Sequence, residues 1–284
     1  AASQAAAQVQ AQWLIGQGVS AASFDAFFGL APPTGTIARP TVSGSRPTIR
    51  GTVTMKENTM VQGLNIDTSA GATKGLTGSS LLPGTSGSLL LIRDVNVTTA
   101  AGNGVDLSAA AANANNQIEY TTSNAGSSPN VLISAGGIAL NVVNLAITAN
   151  GLNFKSISAN GGAKGIVLTN TGTAAGNGSL SVVGTGTTDA SGGTIQNTST
   201  RGAEIVNSKS LSLKNMNFTS ANNSVDGGAA GVCDTTVITG CNAALYLKDL
   251  TGNNTLDNLD ITGTMVENGI NAINVSNFKF DNSL

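Results

Sequence analysis

"GLNIDTSAGATKG" (63–75) opens on a glycine, alternates apolar Leu64 and Ile66 with polar Asn65 and Asp67, then runs out into small residues and a second glycine. The same phrase returns in altered form as "GVDLSAA" (104–110), "GIALNVVN" (137–144), "GLNFKSIS" (151–158), "GIVLTNTG" (165–172) and "GAEIVNSKS" (202–210). A period of two puts every second side chain on one face of an extended strand, so each phrase reads as a short strand with one buried face. Glycine and asparagine tolerate positive φ where a tight corner needs it, and stacked asparagines can satisfy turn amides. A strand this short cannot bury its apolar face alone. Its recurrence implies that the copies stack on one another.

From Thr41 onward the chain is a succession of such segments, among them "PTIRGTVTM" (47–55), "SLLLIRDVNV" (88–97), "QIEYTT" (117–122), "SLSLKNMNFT" (210–219), "ALYLKDL" (244–250) and "AINVSNFKF" (272–280). They are rich in β-branched residues and bounded by Gly, Asn, Ser or Thr, and helical periodicity is absent. Equivalent phrases recur at roughly 20 to 27 residues, the spacing of a solenoid. The prediction is an all-β chain with three short strands per coil, each paired in parallel with the coils above and below at about 4.8 Å. On the order of ten coils would make a rod of about 50 Å. The pattern reaches the last residues in mid-phrase, so more chain is expected beyond Leu284. The longer excursions at 99–116, 171–179 and 221–242 are the best-placed loops for display.

Residues 1–40 read as a helical cap and lead-in to a solenoid over 41–284. "SQAAAQVQAQWLI" (3–15) is rich in the good helix formers Ala and Gln, and "SAASFDAFFGLAPP" (20–33) places Phe24, Phe27 and Phe28 on one helical face before a Pro–Pro stop. Helices over 5–15 and 21–29 are therefore expected, with Trp13 and the three phenylalanines packed on the first coil. The opening residues lack a basic start and a continuous apolar core, so the chain reads as a mature or excised piece.

Composition narrows the possible functions. Hydrophobic residues make up 40% of the 284, enough to bury a core although only 10% are charged. A net charge of -2 leaves no basic field to attract nucleic acid. No apolar run approaches the roughly 18 residues of a membrane-spanning helix; the longest is interrupted by Arg93 and Asp94. The only cysteines, Cys233 and Cys241, flank a short loop. They read as a disulfide in an oxidising compartment or as two buried thiols, and metal binding would want more Cys or His.

The run "PTIRGTVTMKENTMVQGLNI" (47–66) with "NAINVSNFKF" (271–280) resembles the right-handed parallel β-helix of the pectin-lyase-like superfamily, and more narrowly the passenger domains of bacterial surface proteins such as autotransporter-type adhesins. The resemblance spans about residue 40 to 284 and implies a solenoid with an amphipathic cap, located outside the cell or on its surface. It also implies chemistry to look for. Pectate lyases of this type use acidic calcium ligands with an arginine base, and polygalacturonases use aspartates on successive coils.

The chain has no His, which removes Ser-His-Asp and Cys-His catalysis and His-ligated metals. Its acidic residues are thinly spread. Asp249, Asp257, Asp260 and Asp281, with Lys248, come nearest to sharing a face, and an Asp260/Asp281 column could hold Ca²⁺ with carbonyl oxygens. Solvated or turn-capping carboxylates are the plainer account of them. Phe218, Phe278 and Phe280 read as an interior stack, and Tyr120 and Tyr246 as isolated, which leaves no aromatic platform for a sugar. Outward Thr arrays of the ice-binding kind are hinted at by "GTVTM" and "TNTGT" but do not recur at fixed spacing. The expectation is a structural or adhesive surface domain that meets protein or glycan partners or copies of itself. It has no catalytic, metal or cofactor residues; a polysaccharide-active enzyme is the alternative and an ice-binding solenoid the lesser one.

Overall fold

The computed structural model describes residues 6–7, 11–18, 22–23, 25, 30–31, 33–37, 41–42, 44–71, 74–81, 88–122, 130–224 and 241–283. The described chain is all-strand and almost wholly parallel. Three strand faces follow one another in chain order. Face A passes in parallel register through Ala6, Val53, Leu76, Val105, Leu140, Ile166, Ala203, Leu245 and Ile270. Face B carries Leu14, Val61, Ile92, Tyr120, Leu152, Leu180, Leu211, Asn254 and Phe278 in the same way. Faces A and B belong to one 14-stranded sheet. Face C is a separate 8-stranded sheet from Thr48–Ile49 to Asp260–Thr262. We call each set of neighbouring A, B and C strands a rung.

The alternation seen in the sequence is the reason for this arrangement. Ser88–Arg93 shows it directly: Ser88, Leu90 and Ile92 are buried and their neighbours are not. The buried column of face A, from Val53 to Leu245, is fully enclosed at all seven positions. Each of its side chains rests on an apolar neighbour one strand spacing away, so this column is continuously apolar. Tyr120 is the largest fully buried side chain. Its hydroxyl donates to the Val95 carbonyl at 2.9 Å, and its ring meets Phe154 edge-on at 4.7 Å. Burial pushes the phenol well above its ordinary range.

Asparagine makes the corners. Between faces A and B, Asn144, Asn170, Asn207, Asp249 and Asn274 all adopt positive φ, near 50–59°. Their side chains form a ladder: Asn170 donates to Asn144 at 2.9 Å, Asn207 to Asn170 at 2.9 Å, and Asn274 to Asp249 at 2.8 Å. A second ladder links Asn258 to Asn215 at 2.8 Å between faces B and C. The glycines that open the repeated phrase divide: Gly63 (φ 69°) and Gly151 (φ 83°) take the positive φ expected of a corner. Gly104 and Gly202 do not have positive φ; a Cβ at Gly104 would lie 2.6 Å from the Ala139 carbonyl oxygen, and one at Gly202 2.5 Å from that of Ala244. They are small because the next rung's backbone passes over them.

Two expectations need correction. Rungs are not confined to roughly 20 to 27 residues: Val53 to Leu76 is 23 and Leu245 to Ile270 is 25, but Val105 to Leu140 is 35 and Ala203 to Leu245 is 42. Face A has nine strands among the described residues, in keeping with a stack on the order of ten coils. The N-terminal helical cap is not seen either. Ala6–Ala7 pairs with Val53–Thr54, and Trp13–Ile15 with Met60–Gln62, so this segment adds a rung in place of helix 5–15. The unpaired N–H and C=O groups of Val53–Thr54 and Met60–Gln62 outweigh the helix preference of Ala and Gln. Trp13 is 56% exposed, and Leu14 packs on the core in its stead. Within 21–29, Ala22–Ser23 pairs antiparallel with Thr41–Val42 and Asp25 is the one described helical residue; Phe24, Phe27 and Phe28 lie outside the described residues. Among the described residues no helix is long and apolar enough to cross a membrane.

Candidate functional site

The carboxylates singled out in the C-terminal third do not converge. Asp281 is in register with Asp257 on face B, whereas Asp260 is on face C beside Asn217, so no Asp260/Asp281 column exists. Asp257 pairs with Lys214 at 3.0 Å and accepts from Asn282 at 3.0 Å; those contacts hold its carboxyl below the usual range. Asp281 pairs with Lys279. Asp249 is a corner residue of the asparagine ladder, and Lys248 lies in register with Val206 and Ile273. Among the described residues no group of three or more His, Cys, Asp or Glu could hold a metal ion.

The phenylalanines divide. Phe218 is fully buried, but Phe278 and Phe280 sit on the last described rung, where Phe280 in register with Leu256 is 43% exposed. Tyr120 is a core residue, as described above. Tyr246 is not isolated, because the Arg201 guanidinium lies 3.8 Å from its ring centroid.

That arginine belongs to a charged cluster on face A which the sequence did not reveal. Lys164 and Arg201 are in register one rung apart, and both reach Glu204, at 2.6 and 2.5 Å. Arg201 also donates to the Cys241 carbonyl at 3.1 Å. Burial pushes the Glu204 carboxyl up, but the two cations outweigh it and hold it below the ordinary value. Nearer the N-terminus, Glu119 accepts from Arg93 at 3.1 Å, Asn150 at 2.7 Å and Thr148 at 3.2 Å. Asp106 is held by Lys74 and by Asn141 at 2.7 Å. Both carboxyls are again lowered against the opposing effect of burial. Each cluster satisfies itself, and none leaves a carboxylate poised to exchange a proton near neutral pH.

The depressed carboxyls give stability a pH dependence of known sign. A folded-state value below the unfolded one adds stability above the unfolded value, and this is lost as pH falls through the folded one. The melting temperature should stay level down to about pH 4.5 and fall steeply below about pH 4. Glu204→Gln should start lower, with Lys164 and Arg201 unneutralised, and lose less on acidification. A wild-type melting temperature unchanged to about pH 2 would contradict this assignment.

Face C carries a shallow groove of about 350 Å³ over its first rungs, lined by Thr48, Asn65, Asp67, Asn96, Thr98 and Ile133, among others. Asn96 donates to Asn65 at 3.2 Å and its oxygen accepts from the Val131 N–H at 3.0 Å, which fixes the floor. Ile133 stands 41% exposed among polar neighbours. A regular threonine lattice does not form here: the outward column runs Asp67, Thr98, Ile133, Ser158. Of the expected display loops, 99–116 is largely strand within Val105–Thr121, with Ala110–Ala112 projecting. Residues 173–179 leave the sheet as a true loop, and 225–240 lie outside the described residues. Neither the family models, nor the curated proteins, nor the solved structures compared with this chain give a match.

Proposed function

We propose that this chain is a right-handed parallel β-helix of the pectin-lyase-like kind, acting as a structural and adhesive domain on a bacterial surface or in a secreted protein, without catalysis. The parallel stacking of A, B and C strands supports the solenoid, and right-handed crossover is the rule for parallel connections. One observation carries the functional reading: the acidic side chains best placed for chemistry are tied into ion pairs and amide ladders that stiffen the stack. A long, rigid surface with a mixed polar and apolar groove suits contact with a protein or glycan partner. A Cys233–Cys241 disulfide belongs to the same reading. Cys241 is buried, Cys233 lies outside the described residues, and thiol labelling of both in native, unreduced protein would refute the pairing.

The test joins turnover to binding. Unsaturated-product and reducing-sugar assays on pectate and polygalacturonate, with and without Ca²⁺, should show no product, while the purified chain should bind bacterial or host cell surfaces saturably. Turnover abolished by Asp257→Asn or Glu204→Gln would make the protein an enzyme and overturn the proposal.

A further inference from the structure

Face B from the fifth to the eighth rung differs from the rest of the surface. Its outward column runs Asn153, Ser181, Ser212 and Thr255, one small polar side chain per rung in strict register. The hydroxyls of Ser181, Ser212 and Thr255 have no hydrogen-bond partner among the described residues, although the corners on either side are saturated with side-chain bonds. Two loops flank this column, and both are pulled along the stack. Residues 173–179 are held by Lys209, which donates to the Ala175 and Asn177 carbonyls at 2.6 Å, and by Thr251, which donates to Thr173 at 2.7 Å. Residues 184–192 are held by Asn215, which donates to the Gly186 carbonyl at 3.0 Å, and by Asn258, which donates to Asp189 at 2.9 Å. Each loop leaves the sixth rung and is anchored on the seventh and the eighth. The result is a strip of evenly spaced hydroxyls with a pinned loop on each side.

We propose that this strip binds a neutral, linear polysaccharide laid along the stack; the inference rests on the adhesive reading above and names its ligand. The spacing argues for a polymer. Hydroxyls recur at one strand spacing, about 4.8 Å, close to the advance of one sugar in an extended glycan, so one contact repeats along the chain. Charge argues for neutrality. Lys214 is matched by Asp257 at 3.0 Å and Lys279 by Asp281, and Lys209 spends its ammonium on the loop carbonyls, so an anionic polymer lying over Ser212 and Thr255 would have to break these contacts or meet the carboxylates. Val183, 52% exposed at the start of the second loop, offers an apolar contact for the C–H face of a sugar ring.

The experiment is affinity electrophoresis of the full chain in gels containing linear β-glucan, mannan or xylan, with polygalacturonate as the anionic control. At least one neutral polymer should retard the wild type, and polygalacturonate should not. Ser212→Trp should weaken retardation by about tenfold or more, while Thr194→Trp on face C should leave it unchanged. Unaltered thermal melting of both variants shows that the fold is kept, and Ser212→Ala offers a milder loss of one hydroxyl if Ser212→Trp does not fold. No retardation by any neutral polymer, or retardation insensitive to both Ser212 variants, overturns the proposal. Cell binding that survives Ser212→Trp without glycan binding sinks the strip and leaves the adhesive reading standing; loss of cell binding by the wild type itself sinks both.

Discussion

Leu140→Ala is expected to destabilise the protein by about 2–5 kcal/mol, whereas Asn141→Ala, one residue further on, should cost about 1 kcal/mol or less. Leu140 is fully enclosed, in register with Val105 on one side and Ile166 on the other, so truncation opens a cavity that two rungs frame and neither can fill. Asn141 points outward and gives up one hydrogen bond, to Asp106 at 2.7 Å. Urea unfolding of the two variants measures the difference. Equal losses at the two positions would mean that the strand does not have one face in and one face out.

Asn130→Ala should cost a similar amount, about 2–5 kcal/mol, for a different reason. Asn130 is fully buried and works as a clamp between rungs. Its oxygen accepts from the Val95 N–H at 3.1 Å, and its amide donates to the Thr121 and Asn153 carbonyls at 2.9 and 3.0 Å. Alanine leaves the Val95 donor buried, and the Asn153 acceptor half-buried, without this partner. Asn130→Asp separates the two roles: an ionised carboxylate still accepts from Val95 but faces two carbonyl oxygens. That variant should be unstable at neutral pH and recover part of the loss on mild acidification, as the carboxyl gains a proton to donate. Denaturation at both pH values reads the effect, and an Asn130→Ala variant as stable as the wild type would remove the clamp.

The strands were legible because their signal is local. "SLLLIRDVNV" announces its buried face residue by residue, and that face is buried. Corner chemistry was partly legible: asparagine does take positive φ and stack, and Gly63 and Gly151 take it too, but Gly104 and Gly202 answer to the rung above, which no local pattern reveals. The N-terminus misled because its composition favours helix, while the open strand edges that recruit it lie some fifty residues away at Val53–Thr54 and Met60–Gln62. The charged cluster was hidden by register. Lys164 and Glu204 meet only because one rung separates them, and the variable insertions kept that length out of view. For the same cause Asp260 and Asp281, plausible neighbours by spacing, fall on different faces.

Distances between spin labels along one outward column test the stacking most directly. Thr54, Asn141 and Asn271 occupy the same column of face A, and Cys233 and Cys241 would first be replaced by serine. With about 4.8 Å per rung, pulsed electron-resonance measurements should give about 19 Å for labels at 141 and 271 and about 34 Å for labels at 54 and 271, before label length is added. Growth of the distance in proportion to rung number is the predicted result. A 54–271 separation equal to or shorter than the 141–271 separation would contradict the stack and everything built on it.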